Sequence, residues 1–192
     1  MLPKRLAIPL ETDRANRIAS GVANFVAAGE TVLDVGCGSM LIAQLLQNLS
    51  GARVFGADVI HLNSSDLSSC LCRGERLSFA GNSVDIICLI FVLHHTQDPL
   101  DALRESLRVA RRKIIILEDV YQGPLELTML KLLDWAGNRL ISADISLPFH
   151  FKTESEWKMT FRSLGMRLAA VEGIRPVPWL PARYRLFVLD KQ

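Results

Sequence analysis

Thr31-Val-Leu-Asp-Val-Gly-Cys-Gly-Ser-Met40 decides the architecture of this chain. Thr31 to Val35 is a short apolar run rich in β-branched residues, as expected of a strand buried in a parallel sheet. The run breaks at Gly36-Cys37-Gly38, and Leu41-Ile-Ala-Gln-Leu-Leu46 then reads as a helix. A strand that passes into a helix through glycines leaves backbone N–H groups facing open space, which makes a ligand site. The first glycine supplies backbone angles closed to other residues, and the second lets a ligand lie against the main chain.

The ligand does not read as a phosphate. Gly36 and Gly38 match the first two glycines of a dinucleotide fingerprint, but Leu41 stands where the third belongs. Asp34 at the loop would repel a pyrophosphate, and no Lys or Arg occurs between Val32 and Ala52 to offset it. A Walker A loop is excluded because its Lys is missing. An acid beside the turn suits a ligand with positive groups, and S-adenosylmethionine carries two, an ammonium and a sulfonium. The second anchor is Asp58, at the end of the next expected strand, Val54-Phe-Gly-Ala-Asp58. It follows Gly38 by 20 residues, a spacing at which an acid can bind ribose hydroxyls. Read alone, Asp58 could equally cap a helix or sit in a loop.

TVLDVGCGSM, GADV and LSFAGNSVDIICLIFVLHHTQDP, in that order, resemble the successive motifs of class I S-adenosylmethionine-dependent methyltransferases, most closely the type 11 group. The likeness continues through RVARRKIIILED, LLDWAGN and LPFHFKTESEW, over about residues 30–165. It implies a Rossmann-like α/β fold: seven mostly parallel strands in the order 3-2-1-4-5-7-6, an antiparallel last strand, and helices on both faces. It implies S-adenosylmethionine as cofactor and S-adenosylhomocysteine as product. The cofactor set becomes Asp34, Gly36, Cys37, Gly38, Asp58, Val59, Arg73, Gly74, Glu75 and Phe91. Two positions depart from the family: Met40 replaces a usual glycine, and Arg73 replaces an acid often found near the adenine.

At 192 residues the chain suits one domain. Residues 1–29 would form an N-terminal helical cap, and 120–160 the helices and loop on the substrate side. The net charge of +2 carries no basic block that would attract a polyanion. The longest apolar run, Ile86 to Leu93, is too short to span a bilayer. Glu11, Asp13, Arg14 and Arg17 interrupt any signal-peptide core, so a cytoplasmic location is expected. Cys70-x-Cys72 has no second pair or neighbouring histidine, and no metal site is expected.

Residues 1–10, broken by proline, read as irregular, with Thr12 capping a helix that ends at Gly29. Strands follow near 53–58 and 70–73, and Val84–Ile90 forms another, with Phe79 in the core. At its carboxyl end come Phe91-Val-Leu-His94-His95, beside the sheet edge where ligands bind. His94 or His95 could accept a proton from a nucleophile or could simply shape the loop. Asp98 and Pro99 open a helix, and Arg111-Arg-Lys113 reads as a solvated bend before the strand Ile114–Leu117. Glu118 and Asp119 end that strand on the same rim, where Asp119 is a candidate base. An apolar helix over Pro124–Ile141 suits a lid or a subunit contact, so the chain is expected as a monomer or homodimer. Asp134 and Asn138 would border the acceptor, with His150 on a closing loop. Thr153-Glu-Ser-Glu156 is a capping box. Two late strands, Arg167–Glu172 and Arg183–Asp190, flank a stiff loop bearing Pro176, Pro178 and Pro181.

The expected function is methyl transfer to a small-molecule acceptor. The alternatives are a non-catalytic binder of the same cofactor and, less favoured, a nicotinamide oxidoreductase. A nucleic-acid methylase is disfavoured. The Asp/Asn-Pro-Pro-Tyr/Phe motif is replaced by Phe91-Val-Leu-His94, and none of the four cysteines follows a proline.

Overall fold

A computed structural model describes residues 4–143, 145–177 and 182–191, without the side chains of residues 4–10 and 141. In chain order, α1 (Lys4–Ala23) leads to β1 (Thr31–Val35), α2 (Leu41–Ser50), β2 (Arg53–Asp58) and β3 (Ser69–Leu71). Then come β4 (Val84–Ile90), a 3-10 turn at Leu93–His95, α3 (Pro99–Val109) and β5 (Ala110–Val120). The chain closes with α4 (Pro124–Ile141), α5 (Glu154–Ser163), β6 (Arg167–Ile174) and β7 (Arg183–Asp190).

The seven strands form one sheet in the order β3-β2-β1-β4-β5-β7-β6. Pairing is parallel from β3 to β5, and β7 runs antiparallel to both β5 and β6. This is the expected order. Alternation along β1 explains why helices cover both faces. Leu33 and Val35 join a cluster with Leu103 of α3 and Trp157 and Phe161 of α5. Val32 joins the opposite cluster, with Ile18 and Val22 of α1 and Ala43 and Leu46 of α2. The turn from β1 into α2 lies on the rim where these layers meet.

Three expectations are corrected. The first helix does not start at Thr12 but reaches back through Pro9 to Lys4. A proline removes one donor and marks only a probable boundary. That helix ends at Ala23, and Gly29, at φ 81°, belongs to the turn before β1. Arg111–Lys113 are not a bend but the start of β5. Their charges are accommodated there: Arg111 pairs with Asp85 at 2.5 Å, Arg112 with Glu30 at 2.5 Å, and Lys113 Nζ donates to the Phe25 carbonyl at 2.7 Å. The capping box forms as expected, with Thr153 N donating to Glu156 Oε2 at 2.7 Å and Glu156 N to Thr153 Oγ1 at 3.2 Å. Pro178 and Pro181 lie outside the described residues.

Candidate active site

The glycine turn is built by two different demands. Gly36 has φ 74°, and a Cβ there would lie 2.4 Å from Val92 Cγ2. Gly38 has φ 50°, but a Cβ there would meet open space. Backbone conformation and packing both require the first glycine; the second leaves the loop open to a ligand. The amides of this loop do not point freely outward as the sequence suggested. Gly36 N and Cys37 N donate to the Ala57 carbonyl at 2.7 and 3.3 Å, and Gly38 N donates to Asp58 Oδ2 at 2.8 Å. Parallel pairing sets β2 beside β1, so the end of β2 takes up these donors. A loop whose donors are already bonded makes a poor cradle for phosphate.

Asp58 Oδ1 accepts from Val59 N at 2.7 Å and Ile60 N at 3.1 Å. With Gly38, that engages three of the roughly four acceptor positions of a carboxylate and leaves room for a hydroxyl. Met40 takes the left-handed angles usual for glycine, φ 65°, at the start of α2. Its side chain is buried under α2, where a Cβ on Gly56 would come within 2.2 Å of its sulfur. Met40 therefore fills the core and stays out of the cofactor side.

The loop opens onto a cleft of about 930 Å³. One end is bordered by Asp58, Val59, Arg73, Gly74 and Glu75, and the other by His94, His95, Asp119, Asp134 and Asn138. Glu11, Arg14 and Ala15 of α1 also reach it. Between the ends stands Phe91, at φ 57°, with the Arg14 guanidinium 4.9 Å from its ring centre and Tyr184 edge-on at 5.6 Å. Such angles on a bulky residue mark a constrained loop.

The acceptor end is a charge network. Glu118 is fully buried, and its Oε1 accepts from Val92 N at 3.0 Å and Leu93 N at 2.8 Å. Its Oε2 lies 2.5 Å from His94 Nδ1. Phe151 stacks on the His94 ring at 4.6 Å. Burial disfavours the charged form of His94, but the Glu118 charge and hydrogen bonds to Asp134 and Glu118 outweigh it and push the pKa up to about 10. Burial likewise works against ionised Asp134, yet His94 and His95 hold its carboxyl well below the usual range. Burial first, offset in part by His94, leaves Asp119 raised to about 7. Cys37 is pushed up to about 12 by burial and the charges of Asp34 and Asp58, so its thiol is no nucleophile at neutral pH.

Residues 33–117 match the family model described as a methyltransferase domain. Over that stretch the chain is similar to a methyltransferase domain. A chain of the Haloferax volcanii complex between the Trm112 methyltransferase activator and a methyltransferase resembles it with a TM-score of 0.72 at 20% identity, over 93% of this chain and 91% of that one. A SAM-dependent methyltransferase from Aquifex aeolicus gives 0.65 at 18%, over 91% and 89%. The [4+2]-cyclase SpnF gives 0.69 at 15%, over 92% and 80%. At these identities the likeness is one of fold. No curated protein matches the sequence.

Fourteen of the sixteen expected site residues line the cleft: Gly36, Cys37, Gly38, Asp58, Val59, Arg73, Gly74, Glu75, Phe91, His94, His95, Asp119, Asp134 and Asn138. Two do not. Asp34 is only 4% exposed and sits beneath the loop on the α2 side of β1, because strand alternation turns it toward the face that Val32 shares. His150 gives way to Phe151. Phe149 takes left-handed angles, φ 60°, Phe151 stacks on the His94 ring, and His150 contributes its backbone N–H to the His94 carbonyl at 3.1 Å. Sequence reasoning missed Tyr184, Arg14 and Phe151 in the lining. The aromatic pair flanking His150 was the one available signal for Phe151.

Among the described residues no helix is long and apolar enough to cross a membrane.

Proposed function

We propose that this protein transfers a methyl group from S-adenosylmethionine to a small-molecule acceptor. The observation that carries the reading is the Gly36–Gly38 loop, bonded to Ala57 and Asp58 and open onto a cleft with polar, titratable groups at its far end. Asp58 would bind the ribose hydroxyls, with Val59, Arg73, Gly74 and Glu75 around the adenine and Phe91 near the methionine part. Asp34 would act through its charge from below.

The acceptor would enter beside His94, His95, Asp119, Asp134 and Asn138. Its nucleophile bonds to the methyl carbon in line with the carbon–sulfur bond, whose electron pair passes to sulfur and leaves S-adenosylhomocysteine. Alignment of the three atoms in an enclosed cleft can be worth roughly 7–11 kcal/mol. A hydroxyl or ammonium acceptor must also lose a proton, and Asp119, with its pKa raised to about 7, suits that role.

The competing reading is a protein that binds the cofactor without transferring its methyl group, and the likeness to a [4+2]-cyclase favours keeping it. Incubation with isotope-labelled S-adenosylmethionine and a fractionated metabolite extract distinguishes the two. Methyl transfer requires a labelled small product with the unmutated protein and none with Asp58→Ala. Cofactor binding with no labelled product from any fraction would favour the binder.

A further inference from the structure

We propose that His94, His95 and Asp134 form a binding site for one divalent first-row transition ion of the zinc type, at the acceptor end of the cleft. This deepens the methyl-transfer reading and rests on it for the ion's role. Asp134 Oδ1 lies 3.5 Å from His94 Nε2 and 3.4 Å from His95 Nε2, and the prospective ligand atoms all lie within 4.8 Å of one another. Both separations are longer than the roughly 2.7–2.9 Å of a close charge-assisted hydrogen bond. Ligands about 2.0–2.1 Å from a tetrahedral ion stand roughly 3.3 Å apart, close to both separations.

The outer contacts are those of metal ligands. His94 Nδ1 faces Glu118 at 2.5 Å and His95 Nδ1 faces the Ser146 carbonyl at 3.1 Å. Both partners accept, so each ring keeps a proton on Nδ1, and a metal ion would take the place of the Nε2 proton that His94 holds toward Asp134. Asn138 Nδ2 donates to Asp134 Oδ1 at 2.8 Å and fixes the carboxylate. The second oxygen, Oδ2, is buried without a hydrogen-bond partner among the described residues. Two imidazole nitrogens and one carboxylate suit zinc or iron(II) better than magnesium or calcium.

The three side chains border the cleft, so an ion they hold can also take an acceptor oxygen or sulfur. The acceptor class is therefore a small hydroxyl or thiol compound. An ion held there would acidify the acceptor's O–H or S–H, whose proton would pass to the Asp119 carboxylate while the freed electron pair formed the bond to the methyl carbon. Sulfur of the donor keeps the electrons of the broken bond, so no redox partner is needed.

Calorimetric titration of the full chain with zinc sulfate tests the site, with S-adenosylhomocysteine titrated on the same samples. Unmutated protein should bind one zinc ion per chain, and X-ray absorption of that complex should show nitrogen and oxygen ligands with no sulfur. Asp134→Ala and His95→Ala should weaken zinc binding on the order of a hundredfold, Glu118→Gln by about 10–100-fold, and exposed His61→Ala not at all. Absence of zinc binding to unmutated protein, sulfur ligation, or affinity unchanged in Asp134→Ala would overturn the site. If S-adenosylhomocysteine binds and zinc does not, the metal site fails and methyl transfer stands. If zinc binds at these residues and S-adenosylhomocysteine does not, the site stands and the methyltransferase reading fails.

Discussion

Asp34 holds a carboxyl under the glycine turn with its pKa raised to about 7, first by burial and then by the charge of Asp58. An acid raised on folding contributes stability that is fully present below its unfolded pKa, near 3.8, and is lost as pH rises through about 7. Asp34→Asn should therefore stabilise the free protein at pH 8, by at most about 4 kcal/mol, with the advantage shrinking toward pH 4. Urea unfolding across that range measures it. The same variant should bind S-adenosylmethionine more weakly, because the positive ligand loses a nearby negative charge. Met40 poses the opposite trade. Met40→Gly relieves about 1–2 kcal/mol of left-handed strain but removes a fully buried side chain, a change that costs about 2–5 kcal/mol. A net loss of up to about 4 kcal/mol in urea unfolding is expected, with S-adenosylhomocysteine affinity unchanged. A gain in stability would show that Met40 does not fill the core as described.

At the scale of elements, the start of β1 is tied to β4 and β5 through one carboxylate. Asp85 accepts from Thr31 N at 2.9 Å and Thr31 Oγ1 at 2.7 Å and pairs with Arg111. Those bonds hold its pKa down to about 2. A depressed acid stabilises above its unfolded pKa and loses that contribution as pH falls through the folded value. Asp85→Asn should lower the melting temperature at pH 7, and the difference from the parent should fade between about pH 4 and pH 2. A constant difference across that window would assign the effect to packing alone. The same elements show what the sequence made legible. The strand–glycine–helix unit, the Asp98–Pro99 start of α3 and the Thr153–Glu156 box are local patterns, and each appeared where it was read. The extent of α1 and the basic start of β5 were not legible, because tertiary partners decide both. Pro9 argues against a helix locally, and Arg111–Lys113 enter a strand only because Asp85, Glu30 and the Phe25 carbonyl receive their charges.

Across the whole molecule, the cleft collects groups from α1, from the loops after β1, β2 and β4, and from β5, α4 and β7. The candidate cofactor wall was readable because Gly36, Gly38 and Asp58 carry backbone and spacing signals. The meeting of His94, His95 and Asp134 was not readable. It depends on how α4 lies over the rim, and no local pattern encodes that packing. The chain's central physical claim is that the loop serves a cationic nucleoside and not a phosphate. The most direct measurement is calorimetric titration of the unmutated protein and Asp58→Ala with S-adenosylhomocysteine and, separately, NADH. S-adenosylhomocysteine should bind the unmutated protein, with affinity about tenfold or more weaker in Asp58→Ala, and NADH should bind neither. Binding of NADH with no heat from S-adenosylhomocysteine, or equal affinity in the two proteins, would contradict the account.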